Sequence, residues 1–545
     1  MDPITIQVLR NKIASLVDEM HYHFYRSGYS TIIRESRDFS CVILDRGGRL
    51  IVAPPMFFHA PVYRHLVGNI LQNYAGAIRD GDVFVSNHPY EGGLPHVSDM
   101  AFAAPIFAAG ELVGWSGSIA HKADVGGTVP GSTSANATEI FHEGILIPPV
   151  RICDAGAFFA DVERIVLANS RQPELVRGDM RAQIAVTQMG AIRVTELCAR
   201  FGASTVMGAF AAILTGAADA MRAAIGRLPE GEASAEGFLD SDGVEQDKPI
   251  KLAVTVGIKD GLATFDFSQS AAQARGPINL RPSMIEACVF YCLIGSLDPR
   301  LQFNDGMRDC IRLVLAPRSV TNAEPPAPVS NYQMVNLKLV DVILEALAQF
   351  HPARAIANAG SSSALSIIWG EGRGIQYEIV GSAYGGGAGH DGATGTATHL
   401  SNLHITPIEI LESEYPARVA RFDLLADSGG AGRWRGGLSM IREYELLQDA
   451  VVIRRFDKAK FPAKGLAGGQ AGLPARFVIK LGTPDERETG PGRYEMKAAD
   501  KFLLQTAGGG GYADARERDA AAVKRDMDEG YVSREGAARD YGHKV

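Results

Sequence analysis

Apolar residues recur at helical spacing from Ile4 to Gly28, which predicts an amphipathic helix at the start of the chain. The period then shortens. Asp38–Leu44 and Arg49–Ala53 read as a hairpin around Asp45-Arg46-Gly47-Gly48. Met100–Phe107 and Leu112–Ala120 read as a second hairpin, joined by Ala108-Ala109-Gly110-Glu111. From Ala157 to about Arg227 the chain is rich in Ala, with few Gly or Pro except near Gly202 and Gly208, the pattern of a helical scaffold or interface. Leu252–Ile258 and Ala263–Phe267 flank the turn signal Lys259-Asp260-Gly261, and Met284–Leu297 and Val335–Phe350 read as helices. Strands dominate the last third, at Arg418–Leu425, Ser439–Leu447, Ala450–Arg454 and Ala475–Leu481, before two short helices near Arg516–Glu529 and Ser533–Tyr541. The expected fold is α+β and multi-domain, with mixed or antiparallel sheets and a helical segment in the middle. The expected divisions are 1–155, 156–230, 231–415 and 416–545.

Composition narrows the function classes. At 545 residues with 46% hydrophobic content, the chain can bury a sizeable core. Its 54 basic and 62 acidic residues are spread without a long basic run, so no nucleic-acid surface is expected. No stretch reaches the roughly 18 uninterrupted apolar residues of a membrane span. Met1-Asp2-Pro3-Ile4-Thr5 lacks a basic region followed by an apolar core, and a cytoplasmic location is expected. Six cysteines without a Cys-x-x-Cys pair predict reduced thiols, and Cys288 and Cys292 fall on one helix face as packing residues. The glycine clusters Gly385-Gly386-Gly387-Ala388-Gly389 and Gly508–Gly511 are followed by no Gly-Lys-Ser/Thr, so tight turns or close backbone approach are expected there rather than a phosphate cradle.

The chemistry concentrates in Asn87–Asp99 and Ala120–Gly127. A hairpin centred on its loop pairs residues whose numbers sum to about 219, setting Asp99 opposite Ala120 or His121 at the cross-strand spacing of about 5 Å. His96 lies one short step upstream. Two imidazoles and a carboxylate then converge with no Cys among them, the donor set of an open zinc or manganese site rather than a closed structural one. Asp38, at the start of its strand, competes with Asp99 for the carboxylate position, and Asp124 is a candidate to orient His121. His59, in Phe57-Phe58-His59-Ala60-Pro61, is a candidate for the pocket wall or for a buried hydrogen bond.

The strings Arg34–Cys41, Asn87–Asp99, Ala120–Gly127 and Ala137–Val150 resemble the hydantoinase B/oxoprolinase family. The resemblance continues through Gly276–Asn279, Asp427–Gly437, Gly508–Tyr512 and Gly530–Ser533, and so spans essentially the whole chain. It implies the metal-dependent subunit of an ATP-dependent amidohydrolase that opens a hydantoin, lactam or 5-oxoproline-type ring. A hydantoinase A-type partner would carry the ATP site in a hetero-oligomer. A ketone carboxylase subunit and a non-catalytic scaffold are the alternatives. Glu143, inside the family-like Phe-His-Glu-Gly string, is a candidate general base, substrate contact or structural ion pair. His88 and Lys122 depart from the residues expected at their positions, which puts a standard hydantoin specificity in doubt and makes them candidate substrate residues.

Overall fold

The computed structural model describes residues 2–54, 56–370, 374–401 and 403–543. Helix α1 (Pro3–Ser27) starts where the Asp2 carboxylate accepts from the amides of Ile4 and Thr5, and buries Leu9, Ile13, Leu16, Val17, Met20 and Phe24 along one face. Strand β1 (Phe39–Asp45) follows, then α2 (Ala60–Asn73), β2 (Val83–Ser86), β3 (Asp99–Ala108), β4 (Glu111–His121), β5 (Val150–Asp154) and β6 (Ala157–Phe158). These strands form an antiparallel sheet in the order β1-β4-β3-β2-β5-β6. Val42 and Leu44 enter a core with α2, whereas Cys41 and Ile43 enter another with α1. Burial on both faces explains the unbroken apolar run of β1.

The expected hairpin between Asp38–Leu44 and Arg49–Ala53 does not form as a strand pair. Arg49–Ala53 meets β1 at a Leu44–Leu50 bridge and through two backbone bonds, Asp45 N to Arg49 O and Ile51 N to Ile43 O, while the long ladder of β1 is with β4, Phe39 against Ala120 through Asp45 against Gly114. β1 is the end strand of its sheet, and its outer edge carries only this short return. The β3–β4 hairpin does form, around Ala109 and Gly110, both at positive φ as a two-residue turn requires. Near the turn the paired numbers sum to 219; beyond a register shift at Ile106/Phe107 they sum to 220, which sets Asp99 opposite His121.

The Ala-rich stretch contains α3 (Ala160–Ala168), α4 (Pro173–Phe201) and α5 (Ala203–Ile225). α4 packs on β3, β4 and α1. α5 is long and apolar enough by length and composition to cross a membrane, yet Val206, Phe210 and Ile213 face the same core as α1. Next come β7 (Gly231–Leu239), β8 (Ile250–Lys259), β9 (Leu262–Asp266), α6 (Pro282–Leu297), β10 (Ile311–Val314) and α7 (Tyr332–Phe350). β10 runs parallel to β9, at the end of a sheet ordered β10-β9-β8-β7.

The rest is mainly strand: β11 (Ser363–Trp369), β12 (Gly374–Val380), β13 (Ser382–Ala383), β14 (Thr394–Thr396), then α8 (Ile408–Glu414), β15 (Ala417–Leu424), β16 (Met440–Leu446), β17 (Ala450–Arg455), β18 (Arg476–Ile479), β19 (Arg487–Glu488), β20 (Gly492–Met496) and β21 (Lys501–Gln505). The sheets β12-β11-β17-β20 and β15-β16-β21-β18-β19 share a core that includes Leu365, Ile367, Val452, Tyr444, Phe477 and Phe502. Helices α9 (Ala520–Asp528) and α10 (Arg534–Tyr541) close the chain. The expected helix near Arg516–Glu529 is a short turn at Ala515–Glu517 followed by α9.

The glycine clusters belong to a block of extended backbone outside the sheets. Gly386 N donates to Gly510 O, Gly430 N to Gly509 O, Gly509 N to Gly437 O and Gly511 N to Gln470 O. A Cβ on Gly509 would lie 2.0 Å from the Tyr384 carbonyl oxygen, and one on Gly510 2.0 Å from that of Lys464. At Gly509 and Gly510 close backbone approach, rather than positive φ, requires glycine, whereas Gly389 is a turn residue at positive φ with open space around it.

Candidate metal centre

The register of β3 and β4 builds the site. Asp99, the first residue of β3, faces His121, the last of β4, and a tight turn returns His96 to the same carboxylate. Asp99 Oδ1 lies 3.1 Å from His96 Nε2 and 3.3 Å from His121 Nδ1, and Oδ2 lies 3.4 Å from His59 Nε2. One donor atom each from His96, Asp99 and His121 falls within 4.8 Å of the others, and all three side chains are buried. Asp38 arrives through the first sheet. Its carbonyl accepts from the His121 amide at 3.2 Å, after Arg37 turns the chain at positive φ, and the residue lines the same cavity.

The electrostatics centre on the Asp99 carboxylate. Burial resists ionisation of Asp99, but the charge of His96 and the close approach of the His121, His59 and His96 rings outweigh it and hold the carboxyl well below its ordinary range. Burial raises Asp38 and lowers His121; His96 is raised because Asp99 overcomes its burial. His96 Nδ1 lies 3.3 Å from the Ser330 carbonyl. When Nδ1 donates there, the Nε2 lone pair faces Asp99 Oδ1, and two acceptors at 3.1 Å need a proton or a cation between them. Asp99 Oδ2 and both His59 nitrogens have no well-directed hydrogen bond among the described residues. Two imidazoles flanked by carboxylates, with polar atoms unsatisfied, suit zinc or manganese.

The cavity has about 40 Å³ of free space, enough for water or an ion, so a ring enters only if side chains move. Tyr377 stacks on His121 with ring centres 4.7 Å apart, and Tyr332 meets His96 edge-on at 5.0 Å. Ser330, Asn331 and Arg455 complete the polar wall. The site therefore lies where the first sheet, the start of α7 and the β11–β12–β17 sheet meet. Sequence reasoning missed Tyr332, Tyr377 and Arg455, which lie more than 200 residues beyond His121. The one available signal was the Arg454-Arg455 pair inside an apolar strand run.

Other candidates fall outside the cavity. Asp124 does not orient His121: Oδ1 accepts from the Gly126 and Arg171 amides, while Oδ2 accepts from the Gly131 amide and the Arg171 guanidinium. It fastens its own loop. Lys122 follows His121 on the opposite face of the strand, donates to Gln183 of α4, and is lowered to about 8 by burial. His88 accepts through Nδ1 from the amides of Tyr90 and Glu91 in a local turn. Glu143 stands behind the site. Its Oε1 accepts from the Val329 and Ser330 amides at 2.7 Å each, fixing the backbone that His96 contacts, and burial raises its carboxyl to about 8.

Fold and site define a multi-domain α+β chain whose buried His–Asp cluster borders a small cavity. Residues 2–515 match the family model described as hydantoinase B/oxoprolinase, and the chain belongs to that family. It is 32% identical over 566 residues to a relative from Pseudomonas sp. (strain NS671) named as the B-type component of a putative D-/L-hydantoinase, covering 99% of this chain and 95% of the relative. The crystal structure of ATP-dependent caprolactamase from Pseudomonas jessenii superposes with a TM-score of 0.92 at 26% identity, over 100% of this chain and 97% of that one. A nucleotide-free acetone carboxylase structure shares the fold, with a TM-score of 0.89 at 19% identity over 99% and 79% of the two chains.

Proposed function

We propose that this chain is the metal-dependent catalytic subunit of an ATP-dependent amidohydrolase. Its substrate would be a cyclic amide of the hydantoin, lactam or 5-oxoproline class, phosphorylated on oxygen by a separate hydantoinase A-type subunit. The observation that carries this reading is the convergence of His96, Asp99 and His121, with Asp38 on the same cavity. The glycine clusters support placing ATP elsewhere, because amides such as those of Gly386, Gly509, Gly510 and Gly511 already bond to backbone carbonyls.

A ring amide resists water because its nitrogen donates into the carbonyl. Phosphorylating the oxygen makes the carbon electrophilic. In the net reaction two waters are consumed: the hydroxyl of one ends on the carbon, the ring nitrogen leaves with a proton, and the second releases the phosphoryl group as phosphate. A divalent cation held by His96, His121, Asp99 and Asp38 would supply an acidified water, with a pKa that zinc can bring to about 7. Asp99 holds His96 and His121 together, Glu143 fixes the backbone behind His96, and Tyr377 stacks against His121.

The test is phosphate release by the reconstituted two-subunit complex across a panel of cyclic amides and ketones, with and without bicarbonate. Bicarbonate-independent ring opening is the expected result. Turnover only of ketones, and only with bicarbonate, would replace this reading with carboxylation.

A further inference from the structure

Arg455, the last residue of β17, lines the cavity and is 4% exposed. Its partners are neutral: Nη1 lies 3.4 Å from Asn331 Oδ1, Nη2 lies 3.1 Å from Ser366 Oγ, and Tyr377 adds a side-chain hydrogen bond, its ring centre 5.4 Å from the guanidinium. Its Nε has no hydrogen-bond partner, and no carboxylate pairs with it among the described residues.

Other buried arginines of the chain are treated differently. Arg442 pairs with Glu378, Arg518 with Asp391 and Asp526, and Arg435 with Asp526. Arg454 also lacks a carboxylate, but it donates to the Ala364 and Arg455 carbonyls and to Ser363 Oγ, and does not line the cavity. A buried cation without a counter-charge is costly, and burial pushes the Arg455 guanidinium below its ordinary range. An arginine fork is shaped for two oxygens of a phosphate or carboxylate. Tyr377 contacts both His121 and Arg455, and all three line the cavity, so a ligand admitted to the His–Asp cluster by side-chain movement can bring an anionic group to the guanidinium.

We propose that Arg455 binds an oxyanion carried by the ligand, the phosphoryl group of the activated ring being the occupant that the proposed reaction delivers. The inference rests on that reading for the identity of the anion. A ring carboxylate, as in 5-oxoproline, offers the same chemistry from a second source.

The test is calorimetric binding of inorganic phosphate, 5-oxoproline and 2-pyrrolidinone to metal-loaded protein, for the natural chain, Arg455→Gln and Arg455→Lys. The expected result is phosphate binding by the natural chain, weakened at least tenfold in Arg455→Gln and less in Arg455→Lys, with metal content unchanged. Binding of 5-oxoproline but of neither phosphate nor 2-pyrrolidinone, lost in Arg455→Gln, would assign the same site to the ring carboxylate. If Arg455→Gln does not fold, Arg455→Lys carries the test, because it keeps the charge and loses the fork. Anion binding unchanged in the variant that folds, or absent in the natural chain, overturns the proposal. Arg455-dependent phosphate binding together with a complex that opens no ring would uphold the anion site while rejecting the proposed hydrolysis.

Discussion

Asp99 gathers the imidazoles, and residues that never reach the cavity add to the electrostatic setting. Glu143 is one, and its buried carboxyl is raised from an ordinary 4.5 to about 8. The folded chain therefore binds more protons at this group than the unfolded chain does between those values. Its contribution to stability is fully present below about 4.5 and is lost as pH rises through about 8. Glu143→Gln imitates the protonated form, so its denaturation midpoint should change less between pH 5.5 and 8.5 than that of the natural chain. Parallel profiles would show that Glu143 is ionised in the fold throughout. The positions of His96, Asp99 and His121 were legible because one hairpin carries all three and its register is nearly countable. The role of Asp124 was not, because a loop aspartate three residues past a histidine gives no sign of which amides it will cap.

Among the elements, legibility followed the range of the pairing. The β3–β4 and β8–β9 hairpins, with their positive-φ turns, and the helices α1, α6 and α7 stood close to where periodicity placed them. The Arg49–Ala53 strand shortens to a single bridge on the outer edge of β1, whose long ladder is with a partner some seventy residues on. Tyr332, Tyr377 and Arg455 join the site through contacts between distant elements, and no local period reports such contacts. The glycine block was legible as either turns or close packing, and it shows both, a positive-φ turn at Gly389 and close packing through Gly508–Gly511. Alanine at Gly509 should destabilise by about 3 kcal/mol, because its Cβ would sit 2.0 Å from a carbonyl oxygen. Alanine at Gly110 meets no atom within 4 Å and should cost only the positive-φ strain of about 1–2 kcal/mol. Urea unfolding of the two variants checks the ranking, and a smaller loss at Gly509 would refute the close-packed reading of the block.

At the scale of the molecule, the site lies where sheet and helix layers from both ends of the chain meet, so its geometry depends on the whole fold. Likeness to the caprolactamase structure across the full chain agrees with that dependence. The central claim is that His96, Asp99 and His121, with Asp38, hold a divalent cation needed for ring opening. The most direct measurement strips the reconstituted complex with a chelator and then titrates metal back while ring opening and bound metal are both followed. The expected result is activity returning with about one equivalent of zinc or manganese per chain, and neither binding nor activity in Asp99→Asn. Asp38→Asn should distinguish its role, losing metal outright if it is a ligand and only binding more weakly if it supports one. Full ring opening by the metal-free complex, or undiminished metal binding and activity in Asp99→Asn, would contradict the claim.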